Sequence, residues 1–122
     1  MELSPEYVGR RSKPLHVEVT PRWLMNFAAG VDDDNPCYFD DTRADGIVAP
    51  PMLAVALTWP LAERFDKFWS DTGFPTEVLM TQVHYSEVLV WHRPMQPGDR
   101  LEIAGEAAAI LPHRAGTHLV IR

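Results

Sequence analysis

Pro50-Pro51-Met52-Leu53-Ala54-Val55-Ala56-Leu57-Thr58-Trp59-Pro60-Leu61-Ala62 is the stretch on which the fold turns. Ala, Leu and Met favour helix, and almost nothing polar interrupts the run before Pro60. A helix that is apolar on all sides must be surrounded by protein. The pattern continues through Leu61, Ala62, Phe65, Phe68 and Trp69, with Glu63, Arg64, Asp66 and Lys67 turned outward, so the second half is amphipathic. Pro60 lacks the N–H that an interior helical residue donates, which predicts a kink or a division into two helices at that point.

Upstream, Leu15-His16-Val17-Glu18-Val19 alternates apolar and polar residues and predicts a short strand. Thr20-Pro21 then supplies a cap and a first helical proline, Trp23, Leu24, Phe27 and Ala28 form an apolar stripe, and Gly30 suits the end of the helix. Residues 30–48 are rich in Asp, contain Asn35-Pro36 and show no period, which marks a long loop of the kind that often carries function. Downstream of Asp71-Thr72-Gly73-Phe74-Pro75, Val78 to Trp91 has strand character. The turn Pro97-Gly98-Asp99 leads to a second long strand, Leu101 to Leu111, with Gly105 as a bulge position. Arg114-Ala115-Gly116 turns the chain again into a strand from Thr117 to Arg122. A buried helix followed by an antiparallel meander predicts an α+β fold in which a sheet wraps around a central helix.

With 122 residues and 46% hydrophobic content, the chain has room for one packed domain, expected over 15–122. Residues 1–14 are expected as a flexible, solvated tail carrying the basic cluster Arg10, Arg11 and Lys13. The net charge of -6 argues against nucleic-acid binding, which needs clustered Lys and Arg. Cys37 is the single cysteine, so neither an internal disulfide nor a cysteine metal site is available, and a reduced cytoplasm is the expected compartment. Met1 to Glu6 lacks the pattern of a signal peptide, and the run from Ala49 to Pro60 is too short to span a membrane.

Asp33-Asp34-Asn35-Pro36-Cys37-Tyr38, with Ala44 after five further residues, resembles the Asp-x-Asn-Pro-x-His segment of the MaoC-like (R)-specific enoyl-CoA hydratase and 3-hydroxyacyl dehydratase family. Val48-Ala49-Pro50-Pro51-Met52 is similar to that family's Ile-Ala-His-Gly-Met lead into the central helix. His84-Tyr85-Ser86-Glu87 and Arg93-Pro94-Met95-Gln96-Pro97-Gly98-Asp99 resemble its later strands and their turn, so the likeness covers residues 15–122. It implies a hot-dog fold, pairing of two such domains, and (de)hydration of acyl thioesters carried by CoA or acyl-carrier protein.

Hydrating an enoyl thioester requires a positioned water, a base to deprotonate it, and donors for the thioester oxygen as it becomes enolate-like. The resemblance puts Asp33 and Tyr38 at the positions of the family's catalytic Asp and His, and Asn35 at its Asn. Asp33 could orient a water; Asp33 and Asn35 also suit turn-capping. A phenol with a pKa of about 10 is a poor base where an imidazole near 6.5 would serve, and nearby Asp residues would raise it further. Pro51 stands where the family has the glycine whose N–H meets the thioester oxygen, and proline has no N–H. Met52 N–H could replace it only if the helix start shifts. Pro50 takes the place of the other histidine.

The chain is therefore expected to be a non-catalytic hot-dog half or subunit that pairs with a catalytic hot-dog domain or forms a homodimer. Its part would be to shape the acyl tunnel, with Asn35, Ala49, Pro51, Met52, Val55 and Trp59 as the substrate-binding residues. Two rivals stay open: a self-sufficient hydratase or thioesterase using Asp33, and a non-enzymatic acyl-thioester-binding protein. No metal or cofactor is expected: the Asp-rich loop lacks the glycine and glutamate of a calcium-binding EF-hand, having Cys37 and Arg43 there. Cys37 has no local base, His84 sits in the expected strand, and Glu63 falls on the outward face of the helix. A complete hot-dog domain normally needs more strand after Ile121-Arg122, so either the chain is truncated or the natural polypeptide is expected to continue.

Overall fold

The first helix begins where its cap dictates: the Thr20 side chain accepts from Trp23 N–H at 3.2 Å, and Pro21 opens the helix. This comes from a computed structural model that describes residues 3–75, 77 and 81–122. The strands are β1 (Leu15–Glu18), β2 (Arg100–Ile103), β3 (Ala107–His113) and β4 (Gly116–Ile121). The helices are α1 (Pro21–Gly30), α2 (Leu53–Glu63) and α3 (Phe65–Phe68), with short 3-10 turns at Pro5–Tyr7, Pro36–Tyr38 and Ser70–Thr72. The chain divides into two compact units.

One unit comprises His16–Thr58 and Ser86–Glu102. Here β1 pairs with β2. Val19 exchanges backbone hydrogen bonds with Asp99 and Gly98, at 2.8 and 2.7 Å, while His16 lies 3.9 Å from Glu102, so the strands run in opposite directions. Leu24 and Ala28 of α1 are buried, as the stripe requires, together with Val19, Ile47, Ala49, Leu53 and Leu57. The start of α2 is nonetheless not enclosed by this chain. Met52 is 54% exposed, against the expectation of cover on all sides. Leu53 and Leu57 are buried, while Ala54, Val55 and Ala56 are partly exposed.

The other unit comprises Met1–Leu15, Trp59–Tyr85 and Ile103–Arg122. Its core gathers Leu3, Leu61, Phe65, Phe68, Trp69, Phe74 and Ala107. The Trp69 ring stacks on Phe65 with centroids 5.0 Å apart, meets Phe74 edge-on at 5.7 Å, and donates its indole N–H to the Leu61 carbonyl at 3.1 Å. Burying an indole therefore strands no polar group. β3 and β4 form the antiparallel hairpin expected around residues 114–116.

Four expectations are corrected. Residues 3–13 are packed: Leu3 is in the core, Ser12 N–H bonds the Gly105 carbonyl at 2.8 Å, Gly105 N–H returns a bond to Ser12 Oγ at 2.8 Å, and Arg11 bridges Glu106. The basic residues are held as well, Lys13 by Asp71 at 3.1 Å and Arg10 by the Thr72 carbonyl and the face of Tyr7. Second, the strand from 101 to 111 is interrupted at Ala104-Gly105, where the N-terminal segment comes alongside; the register irregularity lies between Ala107 and Ala109. Third, α2 continues through Pro60 and stops at Arg64, whose backbone leaves helical geometry at φ -114°, ψ 49°. The proline deprives the Ala56 carbonyl of its donor without stopping the turn, because Arg64 N–H still reaches the Pro60 carbonyl at 2.9 Å. Fourth, residues 81–91 form no strand, and Val88 is 89% exposed. A strand needs a regular hydrogen-bonded ladder with a neighbouring segment, which composition alone does not supply; Val78, Leu79 and Met80 lie outside the described residues.

Candidate functional site

The loop after α1 is shaped by its own Asx side chains. Asp32 takes a left-handed turn at φ 58°, and Asp33 N–H bonds back to the Ala28 carbonyl at 2.9 Å. Asp33 Oδ1 accepts from Asn35 N–H at 3.1 Å, and Asn35 Oδ1 accepts from Cys37 N–H at 3.1 Å, capping the Pro36–Tyr38 turn. Each residue thus spends one side-chain oxygen on the backbone. The turn is tied to the chain ahead of α2 by Val48 N–H on the Cys37 carbonyl, at 2.9 Å.

Tyr38 is half-buried in this loop. Burial first, then the neighbouring Cys37 and the negative charge of Asp33, hold its phenol above the ordinary value. At neutral pH Tyr38 is a neutral hydroxyl that can donate, and it has no capacity as a base. Asp33 remains half-exposed with its second carboxylate oxygen available.

At the start of α2, Leu53 N–H bonds the Pro50 carbonyl at 3.0 Å, Ala54 N–H the Pro51 carbonyl at 3.2 Å, and Val55 N–H the Met52 carbonyl at 3.0 Å. Pro50 and Pro51 carry no N–H. Among the described residues Met52 N–H is the one backbone donor of this turn left without an acceptor. Ala49 is buried and donates to the Met95 carbonyl at 2.8 Å, while Val55 is half-buried.

The structure joins Asp33, Asn35 and Tyr38 within one loop, and Pro51, Met52 and Val55 within one helical turn; all six, with Ala49, belong to the same compact unit. Trp59 belongs to the other unit, where its 46% exposed ring tilts over His84 with centroids 6.4 Å apart. A shallow depression of about 320 Å³ on β1 and β2 is lined by His16, Val17, Glu18, Arg100, Leu101 and Glu102, none of them a residue singled out from the sequence. Two features escaped sequence reasoning. Cys37 is a direct perturber of Tyr38, which their adjacency could have suggested. Arg93 and Asp99 clamp the turn before β2, which opposite charges six residues apart could have suggested. Among the described residues no cluster of His, Cys, Asp and Glu could hold a metal ion, and no helix is long and apolar enough to cross a membrane.

Comparison with known proteins adds what the geometry leaves open. A crystal structure of the C-terminally truncated HadBC complex, a 3R-hydroxyacyl-ACP dehydratase from Mycobacterium tuberculosis, has a chain that superposes with a TM-score of 0.64. It shares 21% identity and covers 98% of this chain and 94% of that one. The fold is therefore the hot-dog fold, mixing helix and antiparallel strands. The family described as FAS1-like, dehydratase domain region, matches residues 6–122. The chain belongs to that family and is a MaoC-like hot-dog dehydratase family member. It is also similar to a UPF0336 protein of Saccharopolyspora erythraea, 27% identical over all of this chain and 80% of the relative. A UPF0336 protein of Streptomyces coelicolor is 28% identical over 90% of this chain and 75% of its own length. One from Mycolicibacterium paratuberculosis is 29% identical over 72% of this chain and 51% of the relative.

Proposed function

We propose that this chain is a non-catalytic hot-dog half or subunit of an (R)-specific enoyl-thioester hydratase or 3-hydroxyacyl-thioester dehydratase. The observation that carries this is the pairing of two chemical losses at the positions where the family keeps its base and its donor. Tyr38 offers a phenol with a raised pKa, and Pro51 offers no amide hydrogen. Neither loss follows from the other, and general acid–base chemistry and oxyanion stabilisation each normally supply orders of magnitude in rate.

Under this proposal the chain acts as one hot-dog domain in the cytoplasm, beside a second one that carries the intact Asp, His and glycine donor. The substrate is an acyl thioester of CoA or acyl-carrier protein. Met52, Val55 and Trp59 contribute apolar surface to the acyl tunnel, and Ala49 and Pro51 shape its mouth. The exposure of Met52, at 54%, and of Trp59, at 46%, is what this role would use, as both leave apolar surface accessible. The HadBC neighbour, itself a complex, supports pairing.

The test is to co-express the chain with a candidate catalytic hot-dog subunit, ask whether they co-purify, and assay hydration of crotonyl-CoA. Turnover should require the partner's His. Substituting Val55→Trp here should narrow the range of acyl lengths accepted while leaving partner binding intact. An assembled complex indifferent to Val55→Trp, Met52→Trp and Trp59→Ala across all chain lengths contradicts the tunnel role.

A second reading is favoured by one observation: Met52 N–H is unbonded at the start of α2, and Asp33 keeps a free oxygen. A self-sufficient hydratase would use that amide as its donor and Asp33 on the water. It predicts partner-independent turnover that is lost in Asp33→Asn.

A further inference from the structure

We draw no further inference here: the strongest candidate, the exposed apolar surface patch of Val88, Val90 and Trp91 ahead of the Arg93–Asp99 turn, is an unpartnered face, and nothing in the structure shows what covers it.

Discussion

Arg93 grips both carboxylate oxygens of Asp99, at 2.8 and 3.1 Å, across the turn that delivers the chain into β2. Asp99 Oδ2 also accepts from Gln96 N–H at 2.9 Å, and Gly98 supplies the left-handed residue the turn needs at φ 89°. The bidentate geometry is the strong form of the ion pair, and its acceptor is largely shielded while the guanidinium stays exposed.

That geometry sets a pH dependence. The Arg93 guanidinium, and after it the Gln96 amide, hold the Asp99 carboxyl below its ordinary value. A depressed folded-state pKa means the unfolded chain binds more protons in the acid range, so the contribution is complete above the unfolded value of about 4 and is lost as pH falls through the folded value. Urea midpoints of the wild type should therefore fall more steeply with acidification than those of Asp99→Asn, and the two curves should converge at low pH. Parallel curves would show that the clamp adds no stability.

Gly105 is required for space. A methyl group there would lie 2.9 Å from the Trp69 ring and 3.0 Å from Ile121 Cγ2. Because Trp69 is locked by stacking and by its bond to Leu61, the ring has nowhere to go. Gly105→Ala should cost about 1–3 kcal/mol, the usual range for overpacking a filled core. Chemical denaturation would measure it, and a loss within a few tenths of a kcal/mol would mean the core yields.

Ser12 tests whether the N-terminal segment is structure or tail. Its hydroxyl accepts from the buried Gly105 N–H at 2.8 Å, so Ser12→Ala leaves that donor unsatisfied. The expected loss is about 1–3 kcal/mol. A solvated tail would tolerate the change with no shift in the unfolding midpoint.

What the sequence made legible was what local chemistry decides alone. Thr20-Pro21 fixed the start of α1, Arg114-Ala115-Gly116 fixed the β3–β4 turn, and Asp33 and Asn35 took the Asx-turn role weighed for them. The resemblance supplied the family. The misreadings came from partners distant in sequence. Nothing near Gly105 announces that Ser12 pairs with it, so residues 1–14 read as a tail and residues 101–111 as one strand. Residues 81–91 have strand composition, but a strand is a property of two segments, and composition describes one. Pro60 read as a kink or a division; the helix is not divided there, since it can lose one hydrogen bond where Leu57 and Leu61 on either side are held in the cores of their units.

Tyr38 should titrate late. With burial, Cys37 and Asp33 all raising its phenol, the absorbance change lost in Tyr38→Phe should fall above the ordinary tyrosine range. The same variant should leave the activity of an assembled complex unchanged. Phenolate appearing near neutral pH would hand Tyr38 a base's role and reopen the self-sufficient enzyme.

The most direct test of a disarmed subunit is the rate at which the purified chain alone, as wild type and as Tyr38→His, hydrates crotonyl-CoA. Both should remain at the uncatalysed background, because restoring an imidazole does not restore the amide that Pro51 lacks. Robust turnover by either protein, without a partner, would contradict the account.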